Sequence, residues 1–374
     1  MPALNLLIKP VSGLCNMRCR YCFYTDVAQN RCVEHYGIMT DEVLTQLVKT
    51  ALADAQGSCT FVFQGGEPTL AGLGFYCRLI ELQQEHNVHG VQIFNSVQTN
   101  GYAIDEEWAK FFAEHHFLVG LSLDGPKDVH NYMRQNSVGE GTFDRVMEAV
   151  KLFNRYKVEY NILTVVNKRV AENAKAVYSF FRSRGFRYLQ FIECIDPFDS
   201  LPRDYSLTAK DLEQFLKTTF DEYYKDFQKG QYISVRGFDN YISMLMTGRA
   251  ESCGMNGVCS AYHLIEANGD VYPCDFYVLD RYRMGNIMTH TLGELSASPI
   301  AREFVRASYP IREECRRCKW YPLCHGGCRR NREPFVNGKP GLNRFCEAYK
   351  GFFEYAYPRM ESMARSIIKK NQQT

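Results

Sequence analysis

The sequence predicts an α/β fold: a partial (β/α)6 barrel, a small cysteine-rich domain after it, and a C-terminal helix. Three observations carry that prediction. Six short β-rich runs alternate with helical stretches between residue 4 and about residue 195. Polar and glycine-rich signatures follow these runs one after another. From about residue 250 to 350 the composition changes to cysteine, glycine and arginine, with little apolar pattern. The expected segments are 1–200 for the barrel, 201–249 for a bridging helical stretch, 250–350 for the cysteine-rich domain and 351–374 for the terminal helix.

The strand candidates are "LNLLIKPV" from Leu4, "CTFVFQGG" from Cys59, "VQIFNSVQTNG" from Val91, "FLVGLSLDG" from Phe117, "VEYNILTVV" from Val158 and "YLQFIEC" from Tyr188. Helical patterns lie between them. In "TDEVLTQLVKTALADA", Thr40 is placed as an N-cap and Val43, Leu44, Leu47, Val48 and Leu52 fall on one face. Strand then helix, repeated, implies parallel strands joined by right-handed crossovers. Nearly continuous apolar runs suggest that both sheet faces are covered. A barrel of six βα units is the first expectation and an open doubly wound sheet the second. In either, chemistry gathers where strands end. There stand the cysteine triplet, "QGGEP", "QTNG", "SLDG" and "ECIDP".

Residues 208–228 read as one bridging helix. Beyond residue 250 only short strand signals remain, such as "AYHLIEANGDVYPC", so metal is expected to hold this region together. The end, "GFFEYAYPRMESMARSIIKK", reads as a helix broken near Pro358 and packed back by its aromatics.

Composition excludes several classes. A formal net charge of +2 offers no electrostatic basis for capturing nucleic acid or an anionic membrane. No apolar run approaches the roughly 20 residues that span a bilayer. The start, "MPALNLLIKP", lacks the features of a signal peptide, so the protein is expected in the cytoplasm. Fifteen cysteines in such a chain point to metal or redox chemistry rather than disulfides.

Cys15, Cys19 and Cys22 form C-x3-C-x2-C directly after the first strand, with Tyr21 before the last cysteine. Three thiolates on a four-iron cluster leave one iron open to an exogenous ligand. A zinc loop completed by a distant ligand is the structural alternative. The second constellation comprises Cys253, Cys259, Cys274, Cys315, Cys318, Cys324, Cys328 and Cys346, with Gly269 five residues before Cys274. Eight cysteines fill two 4Fe-4S clusters; two structural zinc sites are the competing account. Cys32, Cys59, Cys77 and Cys194 are left over and are expected to be buried small hydrophobes.

The cysteine loop and the "GGEP" stretch resemble the radical S-adenosylmethionine superfamily. The later pattern, Gly-x4-Cys and Cys-x2-Cys-x5-Cys-x3-Cys followed by a lone cysteine, resembles its twin-cluster SPASM extension. "LLIKPVSGLCN", "CFY", "FQGGEPTLAGL", "SVQTNG", "GLSLDGPK", "SCGMNGVC", "VYPCDFYVLD" and "CKWYPLCHGGCRR" are similar to anaerobic sulfatase-maturating enzymes. That resemblance spans almost the whole chain. It implies oxidation of a cysteine or serine side chain in a sulfatase to Cα-formylglycine, with S-adenosylmethionine and three 4Fe-4S clusters as cofactors. By resemblance, Cys15, Cys19 and Cys22 hold the cofactor-cleaving cluster. Tyr21, Gly66, Ser122, Arg134 and Ile195 match positions lining S-adenosylmethionine. One auxiliary cluster would take Cys253, Cys259, Cys274 and Cys328, the other Cys315, Cys318, Cys324 and Cys346.

The implied chemistry is reductive cleavage of the cofactor to methionine and a 5′-deoxyadenosyl radical, which removes a hydrogen from the substrate Cβ. Loss of a proton and a second electron completes the two-electron oxidation. The family points to Asp275, next to Cys274, as proton acceptor. Tyr24 and Gln64 are placed in the same strand-end pocket as candidates to grip the peptide, whereas Asp124 and Glu193 are assigned to turns. The implied partners are an unfolded sulfatase chain carrying Cys/Ser-x-Pro-x-Arg and an external low-potential electron donor. Neither nucleic acid nor membrane is expected, and the state is a monomer. The nearest rival is another SPASM maturase acting on a ribosomal peptide. Such proteins often carry an N-terminal leader-binding domain, for which a first strand near residue 4 leaves no room. A non-catalytic zinc scaffold is the rival from another class.

Overall fold

The computed structural model describes residues 3–199 and 201–372. Two compact units emerge. The first comprises residues 1–123, 130–161 and 261–304, and the second 124–129, 162–260 and 305–374. Packing thus groups the chain differently from its composition, because the middle of the cysteine-rich segment joins the first unit.

The strands, in chain order, are β1 (Leu4–Ile8), β2 (Ser58–Phe63), β3 (Gln92–Thr99), β4 (Leu118–Ser122), β5 (Tyr160–Val166), β6 (Tyr188–Glu193), β7 (Ser234–Val235), β8 (His263–Ile265), β9 (Asp270–Tyr272) and β10 (Gly285–Asn286). In the first unit β1 to β4 lie side by side in chain order and in parallel, with Leu6 opposite Phe61 and Val62 opposite Ser96. Consecutive order without reversal is that of a singly wound barrel wall. It differs from a doubly wound sheet, whose order reverses at a switch point. In the second unit β5, β6 and β7 are again parallel and consecutive.

The strands do not bury both faces equally. On β2, Cys59, Phe61 and Phe63 are fully buried, whereas Ser58, Thr60 and Val62 remain partly accessible. Period-two pleating sends alternate residues to opposite faces. One face meets the covering helices; the other carries the polar side chains of the site. The helix Asp41–Asp54 begins as the sequence predicts. Thr40 accepts a hydrogen bond from the Val43 backbone N–H, and Val43, Leu44, Leu47, Val48 and Leu52 are all buried.

The short strands β8 to β10 give part of the cysteine-rich region an order of its own besides the metal expected there. β8 pairs in parallel with β1, and β9 runs back against β8. Leu264, Ile265, Val271, Tyr272, Tyr277 and Val278 thereby become buried in the first unit's core. Three-residue strands carry too little periodicity to read alone, but an existing strand edge gives them partners.

In the second unit the helix Ala209–Gln228 is closed by a capping box from Thr208 and Asp211. The helix Cys346–Asn371 runs through Pro358 unbroken, against expectation. A mid-helix proline costs about 3 kcal/mol. Here Phe352, Phe353, Ala356 and Met360 are completely buried, with Phe352 packed against Phe220, Phe238 and Tyr241, and that packing outweighs the cost. No described helix is long and apolar enough to cross a membrane.

Candidate active site and cluster ligands

The loop from Cys15 to Cys22 leaves β1 and is pinned by backbone hydrogen bonds: Arg18 N–H donates to Gln135 O and Arg20 N–H to Met133 O. Arg134, between those acceptors, is almost fully buried and lies over the Tyr21 ring at 5.4 Å. Ser122 ends β4 and accepts a hydrogen bond from Gln98 Nε2 at 3.2 Å. These resemblance-assigned positions share the first unit; Ile195, after β6, belongs to the second.

"GGEP" is fitted directly against the cysteine loop. Glu67 N–H donates to Leu14 O at 2.8 Å, and Gly66 adopts φ +59°, where a Cβ would stand 2.2 Å from that same oxygen. Only glycine fits so close an approach in this conformation. Gly66→Ala is therefore expected to weaken S-adenosylmethionine binding about tenfold or more, through backbone strain and displacement of the cysteine loop. Equilibrium dialysis on reconstituted enzyme checks this, and unchanged affinity would mean that the loop yields freely.

Sequence reading missed what Glu67 does. Its carboxylate is buried and accepts from Thr69 N–H, Thr69 Oγ1, Thr99 Oγ1 and Asn100 N–H. Asn100 then donates to Asn16 Oδ1 at 2.8 Å and to Cys15 Sγ at 3.7 Å. Burial raises the Glu67 pKa while these donors oppose the rise. One carboxylate thus ties the ends of β2 and β3 to the start of the Cys15–Cys22 loop. "GGEP" and "QTNG" were visible as strand-end signatures, but nothing in their spacing said that they touch.

Asp275, Tyr24 and Gln64 come together in the first unit. Tyr24 donates its hydroxyl to Asp275 Oδ2 at 2.7 Å; Gln64 Nε2 donates to the same oxygen at 2.9 Å and to the Tyr24 hydroxyl at 2.8 Å. The expected peptide-gripping pair is directed instead onto the carboxylate. Among the described residues, buried Asp275 Oδ1 has no hydrogen-bond partner. Burial pushes the Asp275 pKa up, against the opposing pull of Lys9, Tyr24 and Gln64. Lys9 is itself buried, 5.3 Å from the Tyr24 ring centre and paired with fully buried Glu266 at 3.3 Å. No pattern marked out this lysine, which follows directly on the apolar run of β1.

Asp124, assigned to a turn, accepts a backbone bond from Val165 N–H of β5 at 3.1 Å, a contact between distant segments rather than within a turn. Glu193 serves no turn; it accepts the Tyr349 hydroxyl. Among the leftover cysteines, Cys59 and Cys194 are buried as expected, but Cys32 and Cys77 are exposed. Cys77 follows buried Tyr76 on the helix Leu73–His86, one residue around toward solvent, where a helix turns about 100° per residue.

Cys315, Cys318, Cys324 and Cys346 line one small cavity with Trp320, Tyr349 and Phe353. Cys253, Cys259 and Cys328 belong to the same unit. A Cβ at Gly254 would stand 3.8 Å from Cys328 Cβ, so the loop carrying Cys253 meets Cys328. Cys274 follows β9 in the first unit. Among the described residues no three His, Cys, Asp or Glu side chains converge to hold a single metal ion. Tetrahedral zinc needs four donors about 2.3 Å from one point, whereas a four-iron cluster takes its thiolates at separate irons. Burial pushes the thiols of Cys15, Cys324 and Cys328 up to about 11, so ligation there displaces protons. Four soft thiol donors lining one cavity fit an iron–sulfur cluster.

Residues 10–181 match the Radical SAM superfamily and residues 253–319 match SPASM, an iron–sulfur cluster-binding domain. The chain is similar to a cysteine-type anaerobic sulfatase-maturating enzyme of Clostridium perfringens. The two are 50% identical over 369 residues, spanning 98% of this chain and 100% of that protein. It is also similar to a serine-type anaerobic sulfatase-maturating enzyme of Bacteroides thetaiotaomicron, at 31% identity over 389 residues, or 99% and 93% of the two chains. A solved structure described as native anSMEcpe with bound AdoMet and Cp18Cys peptide superposes with a TM-score of 0.94. It is 49% identical and covers 98% of this chain and 100% of its own.

Proposed function

The chain belongs to the anaerobic sulfatase-maturating enzymes of the radical SAM superfamily, and on that premise we propose that it oxidises a cysteine of a sulfatase polypeptide to Cα-formylglycine. S-adenosylmethionine and three 4Fe-4S clusters supply the reducing electron, the 5′-deoxyadenosyl radical that takes a Cβ hydrogen atom, and the acceptor for the second electron. Cys15, Cys19 and Cys22 would hold the first cluster; Cys253, Cys259, Cys274 and Cys328 would hold one auxiliary cluster, and Cys315, Cys318, Cys324 and Cys346 the other. Tyr21, Gly66, Ser122, Arg134 and Ile195 would line the S-adenosylmethionine site.

The proton is the protein's own task. The observation that carries this reading is the unpartnered, buried Asp275 Oδ1, with both donors concentrated on Oδ2. Tyr24 and Gln64 fix the carboxylate and leave one oxygen to accept the substrate thiol proton. Oxidation of the Cβ–thiol unit by one hydrogen atom, one proton and one electron leaves a thioaldehyde, and water then releases hydrogen sulfide and the aldehyde. We assign the substrate as an unfolded segment with Cys-x-Pro-x-Arg, the setting as the cytoplasm and the working unit as a monomer fed by an external low-potential donor.

Cysteine rather than serine is assigned because the cysteine-type relative is 50% identical and the serine-type relative 31%. Paired short peptides differing only in that residue test this. With reconstituted enzyme, the cysteine peptide is expected to give hydrazine-trapped aldehyde at least about tenfold faster. A faster serine peptide would reverse the assignment. Deoxyadenosine without aldehyde from either peptide would move the reading to another SPASM peptide maturase.

A further inference from the structure

Arg332 is 5% exposed, a short step past Cys328, in a segment where Arg329 and Arg330 are buried too. Its guanidinium bonds are to backbone. Nη2 donates to Gly257 O at 2.9 Å and Nη1 reaches Ser308 O at 3.4 Å. Among the described residues Nε is buried without a partner, and the guanidinium's hydrogen bonds go to backbone oxygens rather than to a carboxylate. The positions it touches are specific. Gly257 lies between Cys253 and Cys259, and Ser308 accepts the Cys259 N–H at 2.9 Å through its hydroxyl. A Cβ at Gly326, between Cys324 and Cys328, would stand 3.9 Å from Nη1. One guanidinium therefore adjoins loops of both auxiliary ligand sets.

Arginine does not deprotonate in proteins, and a buried charge without a counter-charge is costly. A four-iron cluster with four thiolates is an anion, and nearby fixed charge sets its reduction potential. Resting on the cluster reading above, we propose that Arg332 is the shared counter-ion of the two auxiliary clusters and holds both at higher reduction potential than they would otherwise have. Such clusters accept an electron leaving the substrate more readily. Arg332 acts on the chemistry through the clusters, as a positioning charge rather than a catalytic residue.

The test uses the full chain with Cys15, Cys19 and Cys22 replaced by alanine, so that the remaining signals are auxiliary. Reconstituted with iron and sulfide, this parent is expected to hold about eight irons. Redox titration followed by electron paramagnetic resonance then compares Arg332, Arg332→Lys and Arg332→Gln. The glutamine variant is expected to shift both midpoints downward by about 59 mV, a tenfold change for a one-electron couple. The lysine variant should stay near the parent. If the glutamine variant loses iron while the lysine variant keeps it at parental potentials, the need for charge is upheld. Unchanged midpoints in a fully loaded glutamine variant would overturn the inference, as would equal iron loss in both variants. A parent holding zinc in place of iron and sulfide would overturn the cluster reading, and the inference with it.

Discussion

Replacing Cys15, Cys19 and Cys22 together by alanine is expected to abolish 5′-deoxyadenosine formation while about eight of roughly twelve irons per chain remain. The expectation follows from the separation of the ligand sets. The Cys15–Cys22 loop is anchored within the first unit by Gln135, Met133 and, through Leu14 O, Glu67. The Cys315, Cys318, Cys324 and Cys346 cavity is built wholly in the second unit, from a proline-containing helix turn and the start of the long helix Cys346–Asn371. Neither anchor depends on the thiols of the first loop. Iron and sulfide analysis with chromatography of the nucleoside product reads both quantities on one sample. Retained cleavage would refute the assignment of the first cluster. Complete loss of iron would refute the independence of the other eight cysteines.

Asp275→Asn is expected to lower aldehyde formation about 10²- to 10⁴-fold while deoxyadenosine continues to form. Asparagine keeps the size of the side chain and an oxygen for Tyr24 and Gln64, so what is removed is the capacity to take a proton at Oδ1. Because that proton is lost after the cofactor has been cleaved, the variant should uncouple the two products rather than stop both. Tyr24→Phe removes one of the donors on Oδ2 and should produce a weaker form of the same uncoupling. Single-turnover assays that quantify deoxyadenosine and aldehyde together decide the matter. A parental product ratio in Asp275→Asn would remove the carboxylate from the mechanism.

Much of the scaffold was legible because it rests on local rules. β1 to β6 announced themselves as β-branched and aromatic runs ending in glycine or polar turns, and Thr40 as a cap before an apolar helical face. Cysteine spacing was equally local, since a loop around one cluster must place its ligands within a few residues. What escaped depends on contacts between residues far apart in sequence. Glu67 gains its role from Thr99 and Asn100. Asp275 meets Tyr24 and Gln64 across more than two hundred residues. Lys9 and Arg332 carry no local signature and are buried. β8 to β10 are too short to carry a period, and Pro358 read as a break because its helix's packing was invisible. Burial and long-range pairing, rather than propensity, decide all of these.

The most direct test of the central claim is a substrate peptide carrying two deuterium atoms on the Cβ of its target cysteine, incubated anaerobically with reconstituted enzyme, reductant and S-adenosylmethionine. One deuterium is expected to appear in 5′-deoxyadenosine for each aldehyde formed at that residue. Aldehyde accompanied by unlabelled deoxyadenosine would contradict abstraction from the substrate Cβ, and with it the reading of this chain as a radical maturase of sulfatases.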